Sequence, residues 1–291
     1  MREESIPVDL FNPGQVFGCV GFLEAAHLFL GDAEARFDWS DEADVRFRLR
    51  TGSDQNPFSV VLKSIAASKL CRYAPPGYTD PLPKKRKDEE APAEDVPVSS
   101  ETFPGPKADR MALPISLAAE IGEERHCIEV SHWADASDRK SFKLYAGNRS
   151  AAGIARAMLS GLERLWGKQR SELERHPFGV VTPVGGSFNF DPRGAWTGID
   201  AGYSPNDQKH SLAASPVVEV LAAVGLQHAR PQEYEVRQVR YGVWSSLLPP
   251  MLARPALSGI SIAIPMRLFS FELTLSGKNK IVTFAKEETQ P

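Results

Sequence analysis

The chain reads as an α+β protein, mainly antiparallel sheet with buried, capped helices packed on it. Three observations predict this. Apolar and polar residues alternate in "DVRFRLR" and across the C-terminal "IPMRLFSFELTLSGKNKIVTFAKE", the period of two that marks half-buried strands. Other segments open on Asn-Pro or Ser-Pro and run on into apolar and small residues, as capped helices do. At 291 residues and 42% hydrophobic content, the chain is long enough to bury a sizeable core.

The first helix is predicted in "FNPGQVFGCVGFLEAAHLFLG", Phe11 to Gly31. Asn12 is placed to cap it, Pro13 suits the first helical position, and Gln15 completes a capping box. Gly18 and Gly21 permit close packing of a helix that is apolar nearly all round, so it belongs in the core. It is no membrane span: the run from Val16 to Leu30 includes Glu24 and His27 and falls short of the roughly 20 apolar residues required. The preceding "MREESIPVDL" is mixed to acidic, unlike the basic start of a signal peptide.

In "DVRFRLR", Val45, Phe47 and Leu49 face one way and Arg46, Arg48 and Arg50 the other. Asn56-Pro57 introduces a second helix. Nine of the 23 prolines then fall between Pro75 and Pro114, where the basic run Lys84, Lys85, Arg86, Lys87 meets the acidic Asp88 to Glu90. Such composition cannot offset its ordering entropy and predicts a long mobile Pro-rich loop. Strands are expected in "RHCIEVSHW" and "KSFKLYAG". A helix is expected through "AAGIARAMLSGLERLWGKQRSELE", and another after Ser215-Pro216, where Glu219 repeats the arrangement of the first cap. Two long strands about Gly-Lys-Asn-Lys close the chain. The expected organisation is residues 1–74 and 111–291 sharing one core, with the loop 75–110 between them.

Composition and motifs exclude more than they nominate. A formal net charge of -3 rules out a histone-like polycation but leaves room for a local basic groove. Cys19, Cys71 and Cys127 are far apart, which predicts buried reduced thiols in a cytoplasmic protein. "PVGGSFNF" has no Walker lysine, and no Gly-x-Ser-x-Gly turn occurs. His126 and His132 supply at most half a metal site. No metal, cofactor or catalytic constellation is expected. Asp191, Asp200 and Asp207 with His210 are the groups a metal-dependent nuclease or other hydrolase would have to use; next to Gly and Pro, they equally suit Asx turns.

Basic residues are more suggestive. Three arginines on one strand face must meet solvent or an anion. "YEVRQVRYGVW" sets Arg237 and Arg240 among Tyr234, Tyr241 and Trp244, with Arg254, Arg267, Lys278 and Lys280 following. Cations interleaved with aromatics suit phosphate contact and base stacking. The candidate nucleic-acid-binding set is therefore Arg46, Arg48, Arg50, Lys84, Lys85, Arg86, Lys87, Arg237, Arg240, Tyr241, Arg254 and Arg267. A solvated strand face over core aromatics is the competing reading.

The N-terminal "VDLFNPGQVFGCVGFLEAAHLFLG" resembles the start of a CRISPR-associated family found with subtype I-U (I-G) effector operons. The resemblance rests on Asn12, Pro13, Gly14, Gln15, Phe17, Cys19, Gly21, Leu23 and Glu24. It extends to "FDWSDEADVRFRLR", "NPFSVVL", "DAGYSPND", "VVEVLAAVGLQHARP" and "RYGVW". It implies a non-catalytic subunit of a Cascade-like surveillance complex, most like a small form of its large subunit. Its implied partners are crRNA, target DNA, other Cascade-like subunits and a separate helicase-nuclease, with no membrane. A backbone subunit of the RNA-recognition-motif-like class remains the alternative within the same complex. The matching motif has the character of a core and cap, so it carries over no active residue.

Overall fold

Alternation and capping sort the chain into a mixture of strands and helices. In chain order these are β1 (Arg2–Pro7), α1 (Pro13–Leu30), β2 (Glu34–Asp38), β3 (Arg46–Thr51), α2 (Pro57–Ala66), β4 (Lys69–Ala74), β5 (Val98–Ser99), β6 (Ile115–Ile121), β7 (Glu124–Val130), α3 (Ala151–Arg175), β8 (Thr182–Pro183), β9 (Ala213–Ala214), α4 (Pro216–His228), β10 (Gln232–Glu235), β11 (Gln238–Trp244), α5 (Pro250–Leu257), β12 (Met266–Ser276), β13 (Asn279–Val282) and β14 (Lys286–Glu287). This computed structural model describes residues 2–79, 97–105, 108–134, 142–147, 149–183, 186–194, 213–276 and 278–289.

The strands form sheets of order β1-β3-β2, β5-β4-β6-β7 and β10-β11-β12-β13, with β14 also on β12 and a small β8-β9 pair. Every pairing is antiparallel except β4 with β5. The fold is thus α+β and mainly antiparallel. Buried side chains from Ile6 to Ala285 make one continuous hydrophobic cluster, so the segments either side of the Pro-rich stretch share a core.

At its centre α1 lies against α4. Every residue of α1 from Pro13 to Ala26, and of α4 from Pro216 to Leu226, is buried. Glycines set their separation. A Cβ at Gly21 would sit 2.0 Å from the Leu221 carbonyl oxygen, and one at Gly225 2.1 Å from that of Phe17. No side chain fits there, so the two backbones touch. Phe17 then packs edge-on against Tyr241 of β11, and Phe22 against Phe58 of α2.

The caps form as the sequence predicts, with two corrections. Asn12, Asn56 and Ser215 accept the backbone N–H of Gln15, Ser59 and Val218 respectively. Gln15 does not close a capping box, however. The Asn12 N–H is already bonded to the Asp9 carbonyl in a turn (3.1 Å), so Gln15 Oε1 instead accepts from the Asp9 N–H (2.9 Å). Nor does Glu219 act on its own helix end: its carboxylate accepts the backbone N–H groups of Phe188, Phe190 and Asp191.

Two strand expectations also change. Residues 142–146 form no strand: Phe142 has φ +55°, and Phe142, Leu144 and Tyr145 are all buried, which breaks alternation. The last of the two long C-terminal strands is short. It stops at Val282, where the Thr283 hydroxyl donates to the Glu272 carbonyl (2.9 Å), and pairing on β12 resumes at β14. Of the cysteines only Cys19 is buried; Cys71 is half-buried and Cys127 exposed, and all three are free thiols.

Candidate nucleic-acid interface

The β3 arginines face outward as alternation requires, but they arrive with partners. The order β1-β3-β2 places acidic strands on both sides of β3, with Glu3 and Glu34 opposite Arg50 and Asp38 opposite Arg46. Arg46 donates to Ser5 Oγ (2.9 Å) and Asp44 (3.1 Å). Arg48 reaches Asp38 (2.7 Å) and Glu3 (3.7 Å), and Arg50 is paired with Glu34. Hydrogen bonds from the Ser40 hydroxyl and then from Arg48 hold the Asp38 carboxyl down to about 2. This face is a neutral ion-pair lattice rather than a cationic strip.

Three C-terminal arginines are likewise engaged. Arg240 donates to Glu288 (2.8 Å), Arg254 makes two 2.8 Å bonds to the buried Glu24, and Arg267 binds Glu287 at 2.7 and 2.5 Å. Each carboxylate raises its arginine's pKa by hydrogen bonding. Tyr241 requires a correction. Its ring is fully buried and stacked on Phe269 (5.6 Å), and its hydroxyl donates to the Leu10 carbonyl (2.6 Å). Burial raises its phenol well above the usual range, and no base can reach the ring. Lys84, Lys85, Arg86 and Lys87 lie outside the described residues, as do Asp200, Asp207 and His210.

Arg237 is different. The β10–β11 hairpin turns through Val236 and Arg237, and the Arg237 carbonyl accepts from the Leu273 N–H (2.8 Å). That bond ties the hairpin tip to the end of β12 that leads into the β12–β13 turn. Lys280, after that turn, donates its N–H to the Leu144 carbonyl (2.9 Å), bringing Lys143 alongside. The three segments enclose an open cleft of about 780 Å³. Four cations line it (Lys143, Arg237, Lys278 and Lys280) against two carboxylates, Glu233 and Glu235.

Arg237, Lys278 and Lys280 are exposed, and among the described residues none of the three makes an ion pair. A cation without a counter-carboxylate keeps its field for a ligand. Arg237 also sits at φ +63°, left-handed backbone that costs a residue with a Cβ about 1–2 kcal/mol. Tyr234 lines the same cleft and is 39% exposed. Arg240 lies over its ring, 4.8 Å from the centroid. Sequence reasoning picked out Arg237 here but missed Lys143, because "KSFKLYAG" alternates like a strand.

A second polar cluster is sealed in the core. Glu219, with no exposed surface, accepts the backbone N–H groups of Phe188 (2.7 Å), Phe190 (3.2 Å) and Asp191 (2.9 Å). Burial pushes its carboxyl up to about 8; nearby Asp191 adds to the rise and the three N–H donors oppose it. Asp191 is bonded through Arg193 Nε (2.9 Å) and Nη2 (2.6 Å), through Asn12 Nδ2 (3.2 Å), and by the Arg193 N–H of an Asx-type turn. The cluster clamps residues 188–191 between α1 and α4, and Asp191 has its oxygens committed to that task.

His126, Ile128 and Val130 share a face of β7 as predicted, while His132 falls in a short 3₁₀ turn. Among the described residues no three His, Cys, Asp or Glu side chains converge as a metal site would require, and no helix is long and apolar enough to cross a membrane. Comparison of the chain with protein-family profiles, with curated proteins and with solved structures finds no match.

Proposed function

We propose that this chain is a non-catalytic, nucleic-acid-binding subunit of a type I CRISPR surveillance complex of the Cascade-like, subtype I-U (I-G) kind. In this reading it works in the cytoplasm with crRNA, target DNA, other subunits and a separate helicase-nuclease in antiviral defence. The resemblance at Asn12 to Glu24 suggests the class. The observation that carries the binding role is the cleft where Arg237, Lys278 and Lys280 stand exposed and, among the described residues, without carboxylate partners. RNA-guided complexes leave sequence recognition to base pairing and ask their proteins to hold backbones and present duplexes, a task suited to cations that no internal carboxylate has claimed.

The test is co-expression of a tagged chain with the genes that flank it, followed by purification. Guide RNA and a set of partner subunits should co-purify, and photo-crosslinks from the RNA or bound DNA should map to residues 233–237 and 278–280. A complex whose crosslinks never reach this chain would make it a purely structural subunit. Cleavage of DNA or RNA by the isolated chain with Mg²⁺ or Mn²⁺ would favour a hydrolase instead.

A further inference from the structure

We infer that the cleft takes a single-stranded segment, with one base stacked on Tyr234 and the flanking phosphates on Arg237, Lys278 and Lys280. The inference rests on the nucleic-acid reading above and adds which form of nucleic acid is held and how. Among the described residues Tyr234 is one of the few large aromatics left open; the rings of Trp133, Trp244, Tyr145 and Tyr241 are all fully buried. Arg240 covers one face of the Tyr234 ring at 4.8 Å, and Arg240 itself does not line the cleft. The guanidinium is fixed from behind by Glu288 at 2.8 Å. The ring is therefore backed on one side by a pinned cation, and since Tyr234 lines the cleft while Arg240 does not, the opposite face is the one assigned to the base.

A duplex base pair is closed to such a ring, because its faces are already stacked on neighbours. An unpaired base is not, and base–aromatic stacking with a cationic groove along the backbone is how single strands are held without sequence preference. Glu233 and Glu235 flank Tyr234 on β10 and would repel phosphates from the ring itself, leaving room there for a neutral base.

The experiment measures binding of fluorescent 12-nucleotide probes to the full-length chain by anisotropy across a salt series. Four probes are used: single-stranded RNA, single-stranded DNA, the DNA duplex, and an abasic DNA strand. Single strands should bind at least ten-fold tighter than the duplex and the abasic strand, and RNA against DNA then tells which strand is preferred. Tyr234→Ala should cost roughly ten-fold on the single strands and nothing on the abasic probe, with Tyr234→Phe restoring it. Neutralising Arg237, Lys278 and Lys280 together should flatten the slope of log K against log salt by about 2. If Tyr234→Ala binds like the parent while the triple variant loses binding, the stack is wrong and the charged cleft stands. If neither variant matters, both readings of the cleft fall. If only an acidic partner protein, and no oligonucleotide, is displaced by the triple variant, the cleft is a protein-docking surface.

Discussion

Glu219 Oε1 accepts the backbone N–H of Asp191 at 2.9 Å, bringing two carboxylates into one corner of the core. The first turn of α4 thereby holds residues 188–191. Since Asn12 also donates to Asp191, the start of α1 is tied to the same point. A helix cap, a loop and a buried acid form one mechanical unit.

That unit makes stability depend on pH. Burial raises the folded Glu219 carboxyl from 4.5 to about 8, so the folded state keeps a proton that the unfolded chain releases. This contribution is fully present below about pH 4.5 and is lost as pH rises toward 8. The melting temperature should fall across that window. Glu219→Gln should flatten the fall, yet be less stable at pH 5 by about 1–3 kcal/mol, because its amide cannot accept all three N–H groups. A variant with the parent slope would assign the proton elsewhere.

Asn12 has two separable roles, a cap for Gln15 N–H and a donor to Asp191 Oδ1. Asn12→Ala should cost about 1–2 kcal/mol in urea unfolding. Asn12→Asp retains a good capping oxygen but sets a carboxylate against Asp191. It should therefore be the more damaging of the two at neutral pH and recover in acid. Equal costs at both pH values would mean that the cap alone matters.

Much of this fold is written locally. The caps at Asn12, Asn56 and Ser215 and the alternation around Phe47 depend on neighbours within a few residues, and each forms where the sequence places it. What alternation cannot report is which strands pair. The arginines of β3 were legible as an outward row, but their neutralisation by Glu3, Glu34 and Asp38 follows from sheet order alone. Tyr241 misleads for a related reason: a ring beside an arginine in sequence lies across the strand from it, in the core. The cleft escapes notice because its cations come from two turns, the start of β13 and an irregular segment that meet only in three dimensions.

The contact between α1 and α4 gives a sharp steric prediction. Gly21→Ala and Gly225→Ala each force a methyl to within about 2 Å of a carbonyl oxygen and should cost at least about 1–3 kcal/mol. At Gly18 the nearest atom is in the Phe178 ring, 3.1 Å away. A side chain can yield where a backbone cannot, and alanine gains about 0.5–1 kcal/mol over glycine within a helix. Gly18→Ala should therefore stay within about 1 kcal/mol of the parent. Similar losses at all three sites would contradict the backbone contact.

Arg237 offers the most discriminating single substitution. Its left-handed backbone at φ +63° suits glycine, whereas its exposed guanidinium lines the proposed strand-binding cleft. Arg237→Gly should raise stability by about 1 kcal/mol through relief of strain. At the same time it should weaken single-strand binding and flatten the salt slope by about 0.7. Stability and binding then move in opposite directions, which a merely damaged fold cannot produce. Arg48→Ala provides the contrast, because its charge is already taken up by Asp38 and Glu3. It should leave the salt slope unchanged; a slope that falls with Arg48 and not with Arg237 would move the interface from the cleft back to β3.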